Sequence, residues 1–596
     1  MIEPPPVTNR IADIDSTGGL PIGGAGIPRR LPDGAWVIAL LAIVVALFAV
    51  LPFGRLIWAA LAPAGFVDPG PMLAEISRRA AMRATWHSIE TGVVSAVAAT
   101  ALGGALAFIL TLTDVRARRS LSFCFILSMM IAPQVVALAY FTLAGPSSPL
   151  LNALGLAPPP GSNNPLMSRE GIMLVLALHH APLAFVTLRA GLRSLPADMA
   201  EAALTAGAKP WRVMRSVVLP LMRPYLAASL ALTFVAAVGN FGIPALLGVP
   251  VNYLTLPTLI YRRMVSFGPS VIADAAALSL LVALIAGAGV ALAAWWLKRA
   301  GAGTGGSGSA RFSRGRPIGV IWTLRHRLAV EIGVWIVVAV ALFLPLVSLL
   351  ATALVPSYGV PLTWATATLD NFVEVLVRQD VTVRAFRNSF IFAASSALFL
   401  ALIAVPLAYS LDRQVGRMRG AVEGVIEIPY ALPGIVLAIA CILLFLKPLP
   451  LLGVSIYGTP FIILFAYAAR FLPVALKAPA AAVGQLPIEL EEAARICGAS
   501  FFRRLRSIVL PVVAPAATAG GLMVFLFAFN ELTVSALLWS SGTETIGVAL
   551  FSLEEAGFAS PAAAIALTAV VAVAAIMAFL DALAPRLPPG ILPWRE

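Results

Sequence analysis

Residues Glu201 to Pro220 read EAALTAGAKPWRVMRSVVLP, and 291 positions later Glu492 to Pro511 read EAARICGASFFRRLRSIVLP. Eleven of the twenty positions are identical without a gap. They include Glu201/Glu492, Ala202/Ala493, Ala203/Ala494, Gly207/Gly498, Arg212/Arg503, Arg215/Arg506 and Leu219-Pro220/Leu510-Pro511. Both copies are polar, basic islands between long apolar segments. Such islands, repeated in a chain that is otherwise nearly all apolar, imply one soluble partner docking twice.

The chain has 596 residues, 60% of them hydrophobic and 12% charged, with a mean hydropathy of +0.94. That is too apolar for a soluble globule. Its apolar runs of about 18 to 25 residues are each long enough to cross a bilayer core as a helix. They lack the alternation of a membrane barrel, so an all-α polytopic membrane protein is expected. The runs place helices near 36–62, 86–113, 120–145, 171–193, 224–247 and 273–297, then near 328–355, 386–411, 420–446, 458–480, 514–540 and 561–584. The first apolar run is too long for a signal-peptide core and reads as an uncleaved first helix. The expected organisation is a tail over 1–35, a first half over 36–297 with its core at 84–297, a Gly/Ser/Arg linker over 298–327, a second half over 328–584 with its core at 386–584, and a tail over 585–596.

The net charge of +13 does not point to nucleic acid, because the basic residues sit in short segments between apolar runs. That is the pattern insertion topology produces. Arg29, Arg30, Arg116, Arg118, Arg119, Arg413, Arg417 and Arg419, both islands and the linker all fall on one side if both termini are cytoplasmic. Arg78, Arg79, Arg83, Arg378, Arg384 and Arg387 fall on the other side, in segments that read as interfacial helices. Cys124, Cys441 and Cys497 have no metal or disulfide spacing, and Cys497 is expected to be reduced and cytoplasmic. His87, His179, His180 and His326 form no metal-ligand set.

The repeat extends beyond the islands. Pro182 and Pro473, and Pro224 and Pro515, keep the 291 offset, while Leu106-Ala107 matches Leu407-Ala408 at 301. Each half has an even number of spans, so the halves are parallel repeats about an axis along the membrane normal, enclosing a central pathway. Each island reads as helix, break, helix. Gly207 and Gly498 suit the left-handed residue that ends a short helix. Trp211, Arg212 and Arg215, and Phe501, Phe502, Arg503 and Arg506, suit a docking face.

The pattern EAA, three residues, Gly, nine residues, Val or Ile, one residue, Leu-Pro resembles the EAA loop of type I ABC importer permeases. The resemblance covers roughly 84–297 and 386–584. It implies two six-helix permease repeats in one chain, about twelve transmembrane helices in an inner membrane. The islands would be coupling helices for two copies of a cytoplasmic ABC ATPase, with a periplasmic solute-binding protein as the outer partner. The chain has only four lysines, Lys209, Lys298, Lys447 and Lys477, and none lies in a phosphate-binding G-x-x-x-x-G-K-[ST] loop. ATP would therefore be used by the partner, and no cofactor is expected on this chain. Asp114 with Arg116, Arg118 and Arg119, and Asp412-Arg413 with Gly416-Arg417, offer an alternative, an ion-gradient transporter of major facilitator type.

Ionisable and polar groups inside spans are costly and functional by default. His179 aligns with Arg470, and Asn240 with Glu531, which follows Asn530. These five are candidates to line the pathway; the competing reading is an Arg470–Glu531 structural ion pair. The runs Gly239–Arg263 and Asn530–Phe558 resemble the ferric-iron permease group, which puts ferric iron first and thiamine or phosphonates second as substrate.

Overall fold

The computed structural model describes residues 35–583, apart from 64, 196, 267, 269, 300–323, 413–416 and 449–452. The two tails and nearly all of the linker expected from the sequence lie outside the described residues. Among those described there is no strand. Among the described residues nine helices are long and apolar enough to cross a membrane, and three bent pairs, each taken as one span, bring the candidate crossings to twelve.

In the first half the crossings are Ala39–Leu61, Arg79–Leu112, the pair Arg118–Met130 and Pro133–Ala153, Arg169–Ser194, the pair Met214–Leu221 and Arg223–Val238, and Val271–Arg299. In the second half they are His326–Ala353, Asp380–Asp412, the pair Arg419–Ala431 and Gly434–Phe445, Pro460–Val483, Phe501–Phe529 and Ala559–Leu583. They are called the first to twelfth spans below. The order matches the expected order, but three details differ. The third and ninth spans bend by 102° and 101°, at Ala132-Pro133 and Leu432-Pro433, 300 positions apart. Proline removes a backbone donor and disfavours helix at the preceding residue, so each apolar run breaks in its middle. The eleventh span starts at Phe501, inside the second island, rather than at 514. Short helices, Gly70–Ser77 and Asp370–Arg378, do precede the second and eighth spans, but Arg79, Arg83, Arg384 and Arg387 belong to the spans themselves.

The first span of each half is seated on the other half. Phe48 of the first span packs its ring 5.0 Å from Phe465 of the tenth and 6.4 Å from Phe399 of the eighth. Reciprocally, Tyr140 of the third span donates its hydroxyl to the Val340 carbonyl of the seventh at 2.9 Å. Within each half the helices approach closely at glycines. A Cβ at Gly103 would lie 2.2 Å from the Ala181 carbonyl oxygen, and one at Gly520 would lie 2.6 Å from that of Ala475. Small residues at crossings are how helices pack without a hydrophobic drive between them.

At the end of the bundle opposite the islands, each half closes with the same clasp. Ser88 Oγ accepts from the Leu256 amide at 2.8 Å, and His87 Nδ1 donates to the Leu254 carbonyl at 2.9 Å. In the second half Ser389 Oγ accepts from the Ile546 amide at 2.9 Å, and Asn388 Nδ2 donates to the Glu544 carbonyl at 3.0 Å. The clasps hold the starts of two short helices, Leu256–Met264 and Ile546–Glu555.

Candidate functional site: the paired islands and the central seam

The islands fold alike to the level of single hydrogen bonds. Helices Ala197–Thr205 and Ile488–Ile496 end on Gly207 and Gly498, with φ of +82° and +74°. In the first, the Gly207 amide donates to the Leu204 carbonyl and the Ala208 amide to that of Ala203, at 2.9 and 3.0 Å. In the second, Gly498 donates to Arg495 and Ala499 to Ala494, both at 2.9 Å. This is the Schellman closure, which places a left-handed residue after the helix, and a Cβ there costs about 1–2 kcal/mol. The chain then re-enters a helix that carries a π-helical turn at Met214–Val218 and at Leu505–Val509, again 291 apart. Ser216 and Ser507 donate to the carbonyls of Arg212 and Arg503 at 2.5 and 2.6 Å.

Ala202, Gly207, Arg212 and Arg215 are exposed, as are Glu492, Ala493, Gly498, Arg503 and Arg506, while Ala203 and Ala494 are half-buried. The side chains of Glu201 and Trp211 lie outside the described residues. Ile496 is 87% exposed and Phe502 61% exposed, with Leu204 and Leu490 also outward. Apolar side chains thus gather beside exposed arginines on the surface of each island.

One feature distinguishes the second island. Glu491 accepts from the Tyr409 hydroxyl at 2.5 Å and faces Arg504 Nε at 3.7 Å. Arg504 is only 3% exposed and donates through Nη1 to the Ala499 carbonyl at 2.7 Å. A cavity of about 280 Å³ opens beside them, lined also by Asp412 and Val483. The aligned residues in the first half are Phe108, Ala200 and Val213, so no such bridge can form there. Sequence reading missed it because it aligned only what repeats.

Between the halves, the helix breaks meet. Gln134, just after the third-span bend, donates through Nε2 to the Asn530 carbonyl at 3.4 Å, and Asn530 Nδ2 donates to the Met130 carbonyl at 3.4 Å. The pseudo-equivalent contact sets Gly239 against Pro433, where a Cβ would lie 3.2 Å from the proline Cγ. Asn240 and Glu531 are both buried and both cap the helix that follows. Asn240 Oδ1 accepts from the Ile243 amide at 3.0 Å, and Glu531 accepts from the amides of Val534 at 3.0 Å and Ser535 at 3.2 Å. The Glu531 carboxylate is thus committed to its own loop, and it makes no ion pair with Arg470 among the described residues. Arg470 is half-buried and turns to Gly434, where a Cβ would lie 2.9 Å from its Nη1. That Nη1 is buried without a hydrogen-bond partner. His179, at the aligned place, instead lines a cavity of about 20 Å³ with Ile131, Tyr140, Leu342 and Pro345. Gln134 and the two proline breaks went unnoticed in the sequence, although Pro133 and Pro433 stand at a constant offset.

The acid–arginine clusters act as helix-end anchors. Arg327 pairs with Asp114 at 3.1 Å, Glu331 accepts from the Arg116 amide at 2.8 Å, and Arg419 pairs with Asp412 at 3.2 Å. Arg413 and Gly416 lie outside the described residues, as does the Arg417 side chain. The described residues hold no group of three or more His, Cys, Asp or Glu side chains suited to a metal ion.

Residues 99–300 and 404–590 each match the family described as binding-protein-dependent transport system inner membrane component. The chain belongs to that family: it is an ABC importer permease built from two permease repeats. This membership displaces the major facilitator alternative. A probable ABC transporter permease protein, y4fN of Sinorhizobium fredii, is 27% identical over 84% of this chain and 87% of its own length. The ferric transport system permease protein FbpB of Actinobacillus pleuropneumoniae is 25% identical over 76% of this chain and 64% of its own length. The spermidine/putrescine permease PotC of Escherichia coli is 27% identical over 36% of this chain and 79% of its own length. A crystal structure of a bacterial ABC transporter involved in import of the acidic polysaccharide alginate aligns with a TM-score of 0.35 at 20% identity, covering 44% of this chain and 95% of that one.

Proposed function

We propose that this permease carries ferric iron across an inner membrane by alternating access, driven through its two islands. Two copies of a cytoplasmic ABC ATPase dock on the islands, a periplasmic binding protein delivers the solute at the opposite end, and both termini are cytoplasmic. The observation that carries the coupling reading is the identity of the two island folds, 291 residues apart and both outward. Each island is continuous with a helix reaching the seam, so a displacement of the ATPases is transmitted to the breaks at Gly239 and Asn530. Arg470, His179, Asn240, Asn530 and Glu531 are the candidate pathway groups. Among these, Arg470 Nη1 and His179 Nδ1 are buried without a hydrogen-bond partner, and Asn240 and Glu531 act by shaping the loops.

Iron is favoured over thiamine, phosphonates and polyamines because ferric permeases resemble both halves together, whereas PotC resembles a stretch of about one half. The test is reconstitution with ATPase and binding protein in proteoliposomes. Gly207→Pro with Gly498→Pro, or Glu201→Lys with Glu492→Lys, should reduce ATP-driven uptake by at least about tenfold, while the protein still inserts. Undiminished uptake in either inserted double variant overturns the coupling reading. Competition of labelled ferric iron against thiamine, a phosphonate and spermidine decides the solute.

A further inference from the structure

The two clasps opposite the islands share one frame and differ at the residue that would face the arginine. Arg83-Ala84 aligns with Arg384-Ala385, Ser88 with Ser389, and Thr255 with Thr545. Asn252 and Gly542 both take a positive φ, +57° and +91°. In the second half this frame presents Glu544, whose carboxylate accepts from Arg384 Nε at 2.9 Å and Nη2 at 3.2 Å, and from the Gly542 amide at 2.9 Å. The residue at the Glu544 place in the first half is Leu254.

The guanidinium remains while its acid is gone. Arg83 is exposed, and its Nε donates a long hydrogen bond, 3.4 Å, to the Arg79 carbonyl. Beside it opens a cavity of about 370 Å³, lined by Arg83, His87, Leu254, Arg262 and Arg263. Arg263 is paired with Glu75 at 3.1 Å, whereas Arg83 and Arg262 make no ion pair among the described residues. Two unpaired guanidinium groups around one opening attract a planar, bidentate acceptor from outside the chain. The second half supplies the template for that acceptor, a single carboxylate.

We propose that this cavity receives an aspartate or glutamate side chain of the solute-binding protein, which takes in the first half the place Glu544 occupies in the second. The proposal rests on the importer reading above. It makes docking polar and directional: one half is self-neutralised, and the other is completed only by the partner. The partner's carboxylate therefore fixes which of its lobes faces the first half, which a two-fold-symmetric platform could not do.

The test uses the full chain in nanodiscs and the binding protein that supports its ATP-driven uptake. Leu254→Glu supplies the missing acid from within, so it should weaken binding at least tenfold, raise the permease melting temperature and flatten the salt dependence of association. Arg83→Glu with Arg262→Glu should weaken binding by at least the same factor, and an Asp→Lys or Glu→Lys change on the partner should restore it. Unchanged affinity in both permease variants overturns the proposal. So does an effect of the arginine changes that appears only as thermal stability in anionic lipid, which would assign the site to a lipid headgroup. If no soluble protein supports uptake by the unaltered chain, the importer reading itself fails, and this proposal falls with it.

Discussion

Gln134 of the first half donates its side-chain amide to the main-chain carbonyl of Asn530 in the second half, 3.4 Å away. Both residues are buried, and both sit where a helix has just broken. The bond therefore joins two irregular segments at the pseudo-two-fold seam, where backbone polar groups have few other partners. Gln134→Leu keeps most of the bulk and removes the donor. It should lower the thermal stability of the detergent-solubilised chain by about 1 kcal/mol. An unchanged melting temperature would show that the carbonyl finds another donor.

Tyr409 and Glu491 tie the second island to the end of the eighth span, and the aligned Phe108 and Ala200 cannot make the same bond in the first. Tyr409→Phe should cost about 1–2 kcal/mol locally. Limited proteolysis around Ile488–Ile496 should quicken in that variant, while cleavage around Ala197–Thr205 keeps its wild-type rate. Equal acceleration at both islands would mean that the bridge stabilises the whole bundle and not the one island.

The Gly103–Ala181 crossing has no room for a side chain, and its obstacle is a backbone oxygen that cannot turn aside. Gly103→Val forces the second and fourth spans apart, costing about 1–3 kcal/mol or more. Gly287, where a Cβ meets nothing within 4 Å, is the matched control. Gly287→Val should leave yield and melting temperature near wild type, and the comparison is read by size-exclusion profile and thermal denaturation.

Glu554, in the short helix Ile546–Glu555, has its carboxyl pushed up to about 7 by burial, from an ordinary value of 4.5. Its Oε2 has no hydrogen-bond partner. Between those two values the folded chain keeps a proton that the unfolded chain has lost, so stability falls as pH rises through this window and levels off above it. Glu544 behaves oppositely: burial raises its carboxyl, but Arg384 and the Gly542 amide outweigh burial and hold it below the ordinary value. Glu554→Gln should remove most of the fall between pH 5 and pH 7 in a melting-temperature series. A slope as steep as wild type would place the titration elsewhere.

The repeat at Glu201 and Glu492 made the twelve-span, two-half architecture legible, because a 291 offset and an even span count leave few topologies. The island turns were legible too, since Gly207 and Gly498 are the residues a left-handed cap requires. The seam was not. Apolar runs such as 120–145 and 420–446 read as single helices by hydropathy, and hydropathy is blind to a mid-run proline that bends the axis by about a right angle. Asn240 and Glu531 stood out as polar, but whether a polar side chain faces a pathway or caps its own loop depends on the break beside it. Arg504 and Glu491 escaped for a different reason: they belong to one copy only, and a comparison of repeats discards what is unique.

The seating of Phe48 against Phe399 has a consequence for how the chain is made. Phe399 is synthesised 351 residues after Phe48, which at about 5–20 residues per second is roughly 20–70 s of translation. Throughout that interval the first span lacks Phe399 and Phe465 as neighbours, while the sixth span, which also packs against it, is made earlier. The packing of the first span is therefore completed only once the eighth and tenth spans, in the second half, have been made.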